Sequence, residues 1–154
     1  MIRQERFVAL GLSLLAVFLH VVFLLKAGGL WRDEANSVAL AFKPSLAEMW
    51  SAMRFDSFPI LHFILVRFWS ELFGSSDASL RGLGFIVGLA IIAVFWLNSD
   101  RFGCRSPLVP LLLIGLSPVM IRSLDAIRPN GLATLTTILA FAAVWSAVCK
   151  PDAF

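Results

Sequence analysis

Charge is what this sequence has least of: Asp, Glu, Lys and Arg make up 15% of its 154 residues, where a soluble domain carries about 25%. Hydrophobic residues fill 59% of the chain, and the mean hydropathy is +0.87. The few charges are scattered and sum to +3. No basic stripe with interleaved aromatics exists, which excludes a nucleic-acid footprint. The 2 cysteines, Cys104 and Cys149, have no CxxC or zinc-type spacing. Nor is there a G-x-x-x-x-G-K-[ST], H-E-x-x-H or G-x-S-x-G run. Nucleotide-loop and metallohydrolase chemistry therefore have no foothold, and no nucleotide or redox cofactor is expected. Internal repeats and low-complexity tracts are absent too.

What the sequence does have is apolar runs approaching or reaching the roughly 17–25 residues that cross a bilayer. Phe7–Leu25 follows Arg3 and Arg6 and exceeds the roughly 7–15 apolar residues of a cleaved signal peptide, so it is expected to be a retained signal-anchor helix. His20 lies inside it, facing a neighbouring helix or the interface without chemistry. Further spans are expected at Leu80–Leu97, Leu108–Ile121 and Leu132–Val148, with Pro110 and Pro118 bending the third. Pro59–Phe73 is apolar but spans only about 22 Å as a helix and contains His62, Arg67 and Glu71. Arg67, Ser70, Glu71 and Gly74 share one helical face, a pattern of a helix lying in the membrane interface. Ser45–Met53 is read the same way, with Ser45 as N-cap and Glu48 three residues on. Trp31, Trp50 and Trp69 fit an interfacial aromatic belt.

The expectation is thus an all-α polytopic membrane protein in a single domain: four transmembrane helices (7–25, 80–97, 108–121, 132–148) and juxtamembrane helices in a long first external loop, residues 26–79. With the amino terminus inside, Arg101, Arg105 and Lys150 are cytoplasmic, as the positive-inside rule asks. Three polar clusters then fall on the external side: Arg32-Asp33-Glu34, Asp56, and Asp125 with Arg128. Carboxylates in such apolar surroundings are costly unless paired or bound to a ligand or metal. Apart from Arg81 at the edge of the second, the four spans contain no Asp, Glu, Lys or Arg. A proton-coupled transporter places an ionisable group near mid-membrane, and only His20 is available for that.

Four loop motifs occur in order. Trp31-Arg32-Asp33-Glu34-Ala35 resembles the acidic motif in the first external loop of the GT-C glycosyltransferases, nearest to the protein-mannosyltransferase, aminoarabinose-transferase and Rgt-like types. Phe55-Asp56-Ser57-Phe58-Pro59-Ile60-Leu61 is similar to their acid-x-x-Pro-Pro-Leu motif, with Ile60 in place of the second proline. Phe68-Trp69-Ser70-Glu71-Leu72-Phe73-Gly74 with Ser79-Leu80-Arg81 resembles their W-x-x-L-F-G … L-R run. Ser117-Pro118 followed by Asp125-Ala126-Ile127-Arg128-Pro129 resembles S-P … acid-A-R-P-Y, with Ile127 inserted and Asn130 where tyrosine is usual. The resemblance reaches from the first helix to about Leu139, and covers only the opening part of such enzymes. The chain is therefore expected to be the N-terminal portion of a larger GT-C module.

The resemblance implies transfer of a sugar from a polyprenyl-phosphate donor to a glycan, lipid or protein acceptor, on the external face of a bacterial inner membrane. Attack by an acceptor hydroxyl needs a base, and a departing phosphate needs cationic or metal stabilisation. The implied roles are Asp33 as base, Glu34 assisting or orienting it, and Asp56 holding a divalent metal ion or positioning the carrier phosphate. Arg81 or Arg128 would contact phosphate, with Asp125 near the pocket. The alternative is a non-catalytic truncated relative acting as a lipid-binding or accessory membrane protein. The topology has its own test. Ser57→Cys and Ser123→Cys should react with an impermeant thiol reagent from outside and Ser99→Cys should not; labelling of positions 57 and 99 from one side would mean that Pro59–Phe73 spans.

Overall fold

The computed structural model describes residues 2–55, 59–100 and 106–149, and they are predominantly helical, with no strand among the described residues. Helix α1 spans Ile2–Lys26, α2 Arg32–Ala41, α3 Leu46–Ala52, α4 Ile60–Phe73 and α5 Asp77–Ser99. After α5 come a short turn α6 at Leu108–Pro110, a π-helical turn at Leu111–Gly115, α7 at Pro118–Leu124 and α8 at Pro129–Cys149. Among the described residues 3 helices are long and apolar enough to cross a membrane: Gln4–Lys26, Asp77–Ser99 and Pro129–Val148. Their outward faces carry large apolar side chains such as Leu14, Phe18, Leu97, Phe141 and Val148, which suits lipid as solvent.

The segment expected to be one span bent at its prolines, Leu108–Ile121, is instead in three pieces, for a reason written in those prolines. Pro110 has no N–H to donate, and the ladder loosens one turn later into a Leu116 N–H to Leu111 carbonyl bond of 3.0 Å. Pro118 pushes the residue before it out of the helical region. Ser117 is accordingly extended, at φ −78° and ψ 116°, and its hydroxyl caps the next helix by accepting from Met120 N–H, with proline at the favoured first position. The broken segment still runs lengthwise beside α1. Leu111 packs with Ala9 and Ala16, a Cβ on Gly115 would lie 3.5 Å from the Ala16 methyl, and Asp125 reaches His20.

The loop helices form a cap on the amino-terminal end of α5. Ser45 caps α3 as its spacing implies, accepting from Glu48 N–H at 3.1 Å. Helix α4 buries His62, Phe63 and Val66 and exposes Leu61, Phe68 and Phe73. Below the cap, a core of Met49, Phe63, Val66, Leu80, Leu83 and Ile127 binds it to α5. A second core, containing Ala9, Ala16, Ile91, Phe95 and Leu111, holds the long helices together. Trp96 Nε1–H donates to Ser13 Oγ at 2.9 Å between α5 and α1.

Helix α5 is the hub, packed against α1, α4, α7 and α8. Close approach is set by glycine. A Cβ on Gly84 would strike the Asp125 carbonyl, and one on Gly88 would strike the Asp125 carboxylate and sit 2.7 Å from the His20 ring. Gly84 and Gly88 stand four apart, the small-xxx-small spacing by which membrane helices admit a neighbouring backbone. Gly84→Ala should therefore lower the melting temperature in detergent by more than Ser13→Ala, which removes one interhelical bond worth about 0.6 kcal/mol. Equal melting of Gly84→Ala and the parent would mean that the Asp125 segment does not lie against α5.

Candidate functional site

The polar groups of the cap and of the α7–α8 junction meet at the amino-terminal end of α5. Gly28, at φ +67°, turns the chain after α1, and Trp31 opens α2 with Asp33 and Glu34 in its first turn. Carboxylates suit that position because the first N–H groups of a helix are unpaired. Helical geometry then sends the two neighbours different ways. Glu34 is buried at 3% exposure, while Asp33 faces outward.

Glu34 is the point on which four segments converge. Arg81 donates Nη1–H to Glu34 Oε1 at 3.2 Å and Nη2–H to Oε2 at 3.1 Å. The Trp31 N–H gives its proton to Oε2 at 2.7 Å, and the Ile127 N–H gives its to Oε1 at 3.0 Å. The same guanidinium donates Nε–H to the Gly28 carbonyl at 2.9 Å and Nη2–H to that of Gly29 at 2.7 Å. Both side chains are almost fully buried, so the pair is charge-assisted, bidentate and dry.

Deeper in the structure His20 Nδ1 lies 2.7 Å from Asp125 Oδ2 and 2.8 Å from Oδ1, with both side chains at 2% exposure. Burial lifts the Asp125 carboxyl above its ordinary range, while the His20 hydrogen bond and charge pull it down. The distances are those of a hydrogen bond between the ring nitrogen and the carboxylate, with Nδ1 carrying the proton in the tautomer that donates. Nearer solvent, Arg128 Nη1 reaches Asp33 Oδ2 at 3.3 Å, with 35% and 47% of the two side chains exposed. A crevice of about 10 Å³, room for one water, sits beside Arg128 between His62, Leu83, Gly84, Ala126 and Leu132.

Of the residues singled out in sequence, Asp33, Glu34, Arg81, Asp125 and Arg128 are brought to one end of the bundle. Asp56 lies outside the described residues. Asp33 and Arg128 keep accessible faces, whereas Arg81, Glu34 and Asp125 spend their polar atoms inside the fold. Among the described residues no three His, Cys, Asp or Glu side chains are grouped to hold a metal ion. With Glu34 saturated by N–H donors and Asp33 facing a cation, the described residues do not by themselves fit a divalent ion. Sequence reasoning set His20 against a neighbouring helix or the interface and gave it no chemistry, although a histidine in an otherwise charge-free span is itself a signal. It passed over Gly84 and Gly88, whose spacing was legible. No family model matches the chain, and neither a curated protein nor a solved structure matches it.

The buried pair generates a graded prediction. Removing one partner of such a pair costs about 3–5 kcal/mol, because the other charge is left buried and uncompensated. Glu34→Leu should be worse than Arg81→Met, since it strands the Trp31 and Ile127 N–H groups, whereas Arg81→Met strands the Gly28 and Gly29 carbonyls, which tolerate a missing partner better. Thermal melts of both variants in detergent check the order; Glu34→Leu melting near the parent would show that Glu34 does not organise this end of the protein.

Proposed function

We propose that this chain is part or all of a membrane glycosyltransferase of the GT-C kind. It would transfer a sugar from a polyprenyl-phosphate donor to a hydroxyl-bearing acceptor on the outer face of a bacterial inner membrane, with its amino terminus in the cytoplasm. The observation that carries the reading is the half-buried Asp33–Arg128 pair, which joins a carboxylate and a guanidinium from segments far apart in sequence. It stands at the end of an apolar bundle, where a lipid-borne donor would present its headgroup. The motif resemblance supplies the reaction type, and the acidic and basic members of two of its motifs are the two partners of this pair.

The step balances simply. The acceptor O–H yields its proton to the Asp33 carboxylate as its oxygen bonds to the anomeric carbon. The bond from that carbon to the phosphate oxygen breaks, and the phosphate leaves with the electron pair. Cationic help for the leaving group falls to Arg128, while Glu34 and Arg81 hold α2 and the 125–128 segment in register. Asp56 is the residue left for a carrier contact or a divalent ion.

A second reading, a non-catalytic lipid-binding or accessory membrane protein, is favoured by one observation. The crevice beside Arg128 is far smaller than a sugar, so a donor would have to bind at an open surface. One substitution separates the readings. Asp33→Asn should lower sugar transfer by about 10²–10⁴-fold, the usual contribution of a general base, with expression and insertion unchanged. Transfer at the parental rate would remove Asp33 as the base. Absence of transfer by the parent, with co-purification of a larger membrane protein, would favour the accessory role.

A further inference from the structure

We infer that His20 is a positioning residue for the Asp33–Arg128 pair, acting through Asp125; the inference rests on the reading of that pair as the reactive end of the protein. The 125–128 segment has no regular structure of its own. It leaves α7 at Asp125, whose N–H still bonds to the Ile121 carbonyl at 2.9 Å, and it closes on itself through the Arg128 N–H and the Ala126 carbonyl at 2.7 Å. Beyond that turn, two specific polar ties among the described residues join it to the helices before it. The Asp125 carboxylate is held by His20 of α1, and the Ile127 N–H by Glu34 of α2. Arg128 follows directly and meets Asp33.

These ties act at different depths and from different helices. The Glu34 tie sets how far the segment lies from α2. The His20 tie fixes its rotation, because Asp125 can reach the α1 ring only with its backbone laid against Gly84 and its carboxylate against Gly88. A chain held at one point can swivel, whereas a chain held at two, with Ile127 buried between them at 1% exposure, cannot. The side chain after the second point therefore emerges in one direction, toward Asp33. A histidine suits this task in an apolar helix. Its ring is apolar on both faces, and its single Nδ1–H can serve both carboxylate oxygens without leaving a second charge unpaired.

The test reads the juxtaposition directly and needs no activity assay. In an Arg128→Lys protein in lipid, a carbodiimide should form a zero-length amide between Lys at that position and Asp33, quantified by peptide mass spectrometry. In the same protein Arg67→Lys provides an internal reference, because Arg67 faces Glu71 at 3.5 Å within α4, away from His20. His20→Ala should lower the 33–128 product about tenfold relative to the 67–71 product. His20→Asn, whose amide N–H stands where Nδ1–H stood, should restore most of it. Equal product in the parent and His20→Ala proteins, or no recovery with His20→Asn, would overturn the inference and leave the pair intact. No 33–128 product even with His20 in place would overturn the pairing itself, and the functional reading with it. Should His20→Ala fail to insert, ¹⁵N NMR of the ring in a His62→Gln background decides. A hydrogen-bonded Nδ1–H that shifts on Asp125→Asn supports the role, and an Nδ1 carrying no proton overturns it.

Discussion

The Glu34–Arg81 pair is the constraint from which the rest of this end of the molecule follows. A carboxylate and a guanidinium withdrawn from water are tolerable only when every lone pair and N–H between them is used. Here backbone meets nearly all of the demand: Glu34 accepts from the Trp31 and Ile127 N–H groups, and Arg81 donates to the Gly28 and Gly29 carbonyls. The consequence is geometric. The exit from α1, the start of α2, the start of α5 and the approach to α8 are all tied to one ion pair, and none can shift without exposing a buried charge. Asp33 and Arg128, adjacent to members of this knot, inherit their positions from it.

Below that knot the governing fact is the solvent. Between helices in lipid there is no hydrophobic gain comparable to that in water, so association depends on close packing and on hydrogen bonds. Gly84, Gly88 and Gly131 permit the close approach of α5, α8 and the α7–α8 junction, and the Trp96–Ser13 and His20–Asp125 bonds lie in the same interfaces. Both of these bonds join elements distant in sequence, whereas Ser13, Asn98 and Ser146 also bond within their own helices.

Much of this was legible from the sequence, and the limits have physical causes. Apolar runs located all three long helices to within a few residues, because in lipid the backbone has no alternative to the helix. Ser45 with Glu48 announced the start of α3, since a cap is a local matter. Charge placement in loops drew attention to Asp33, Glu34, Arg81, Asp125 and Arg128, and these do share one end of the bundle. What stayed hidden was which of them turn inward. Asp33 and Glu34 are neighbours of the same chemistry, and only the helix phase, with Arg81 and Ile127 waiting on one side, makes one accessible and the other structural. His20 was discounted because its partner lies 105 positions away, a separation no window-based reading can bridge. The two prolines of the 108–124 segment were recognised, yet their joint effect, a π turn followed by a complete break, needs the three-dimensional path to be seen.

That break bears on how the protein is made. Around Leu116 and Ser117 the helical ladder is interrupted, and a peptide group without a partner is far less welcome among acyl chains than beside another helix. The segment is also shorter than a bilayer is thick. During biosynthesis it is poorly suited to partition into lipid on its own merits, as α1, α5 and α8 are suited to do. Its neighbours α1 and α5 precede it in the chain, and they offer the surface that covers Leu111 and Leu124. Folding order and membrane entry are thereby linked: the earlier helices serve as an intramolecular escort for the piece of chain that carries Asp125 and Arg128 to their places.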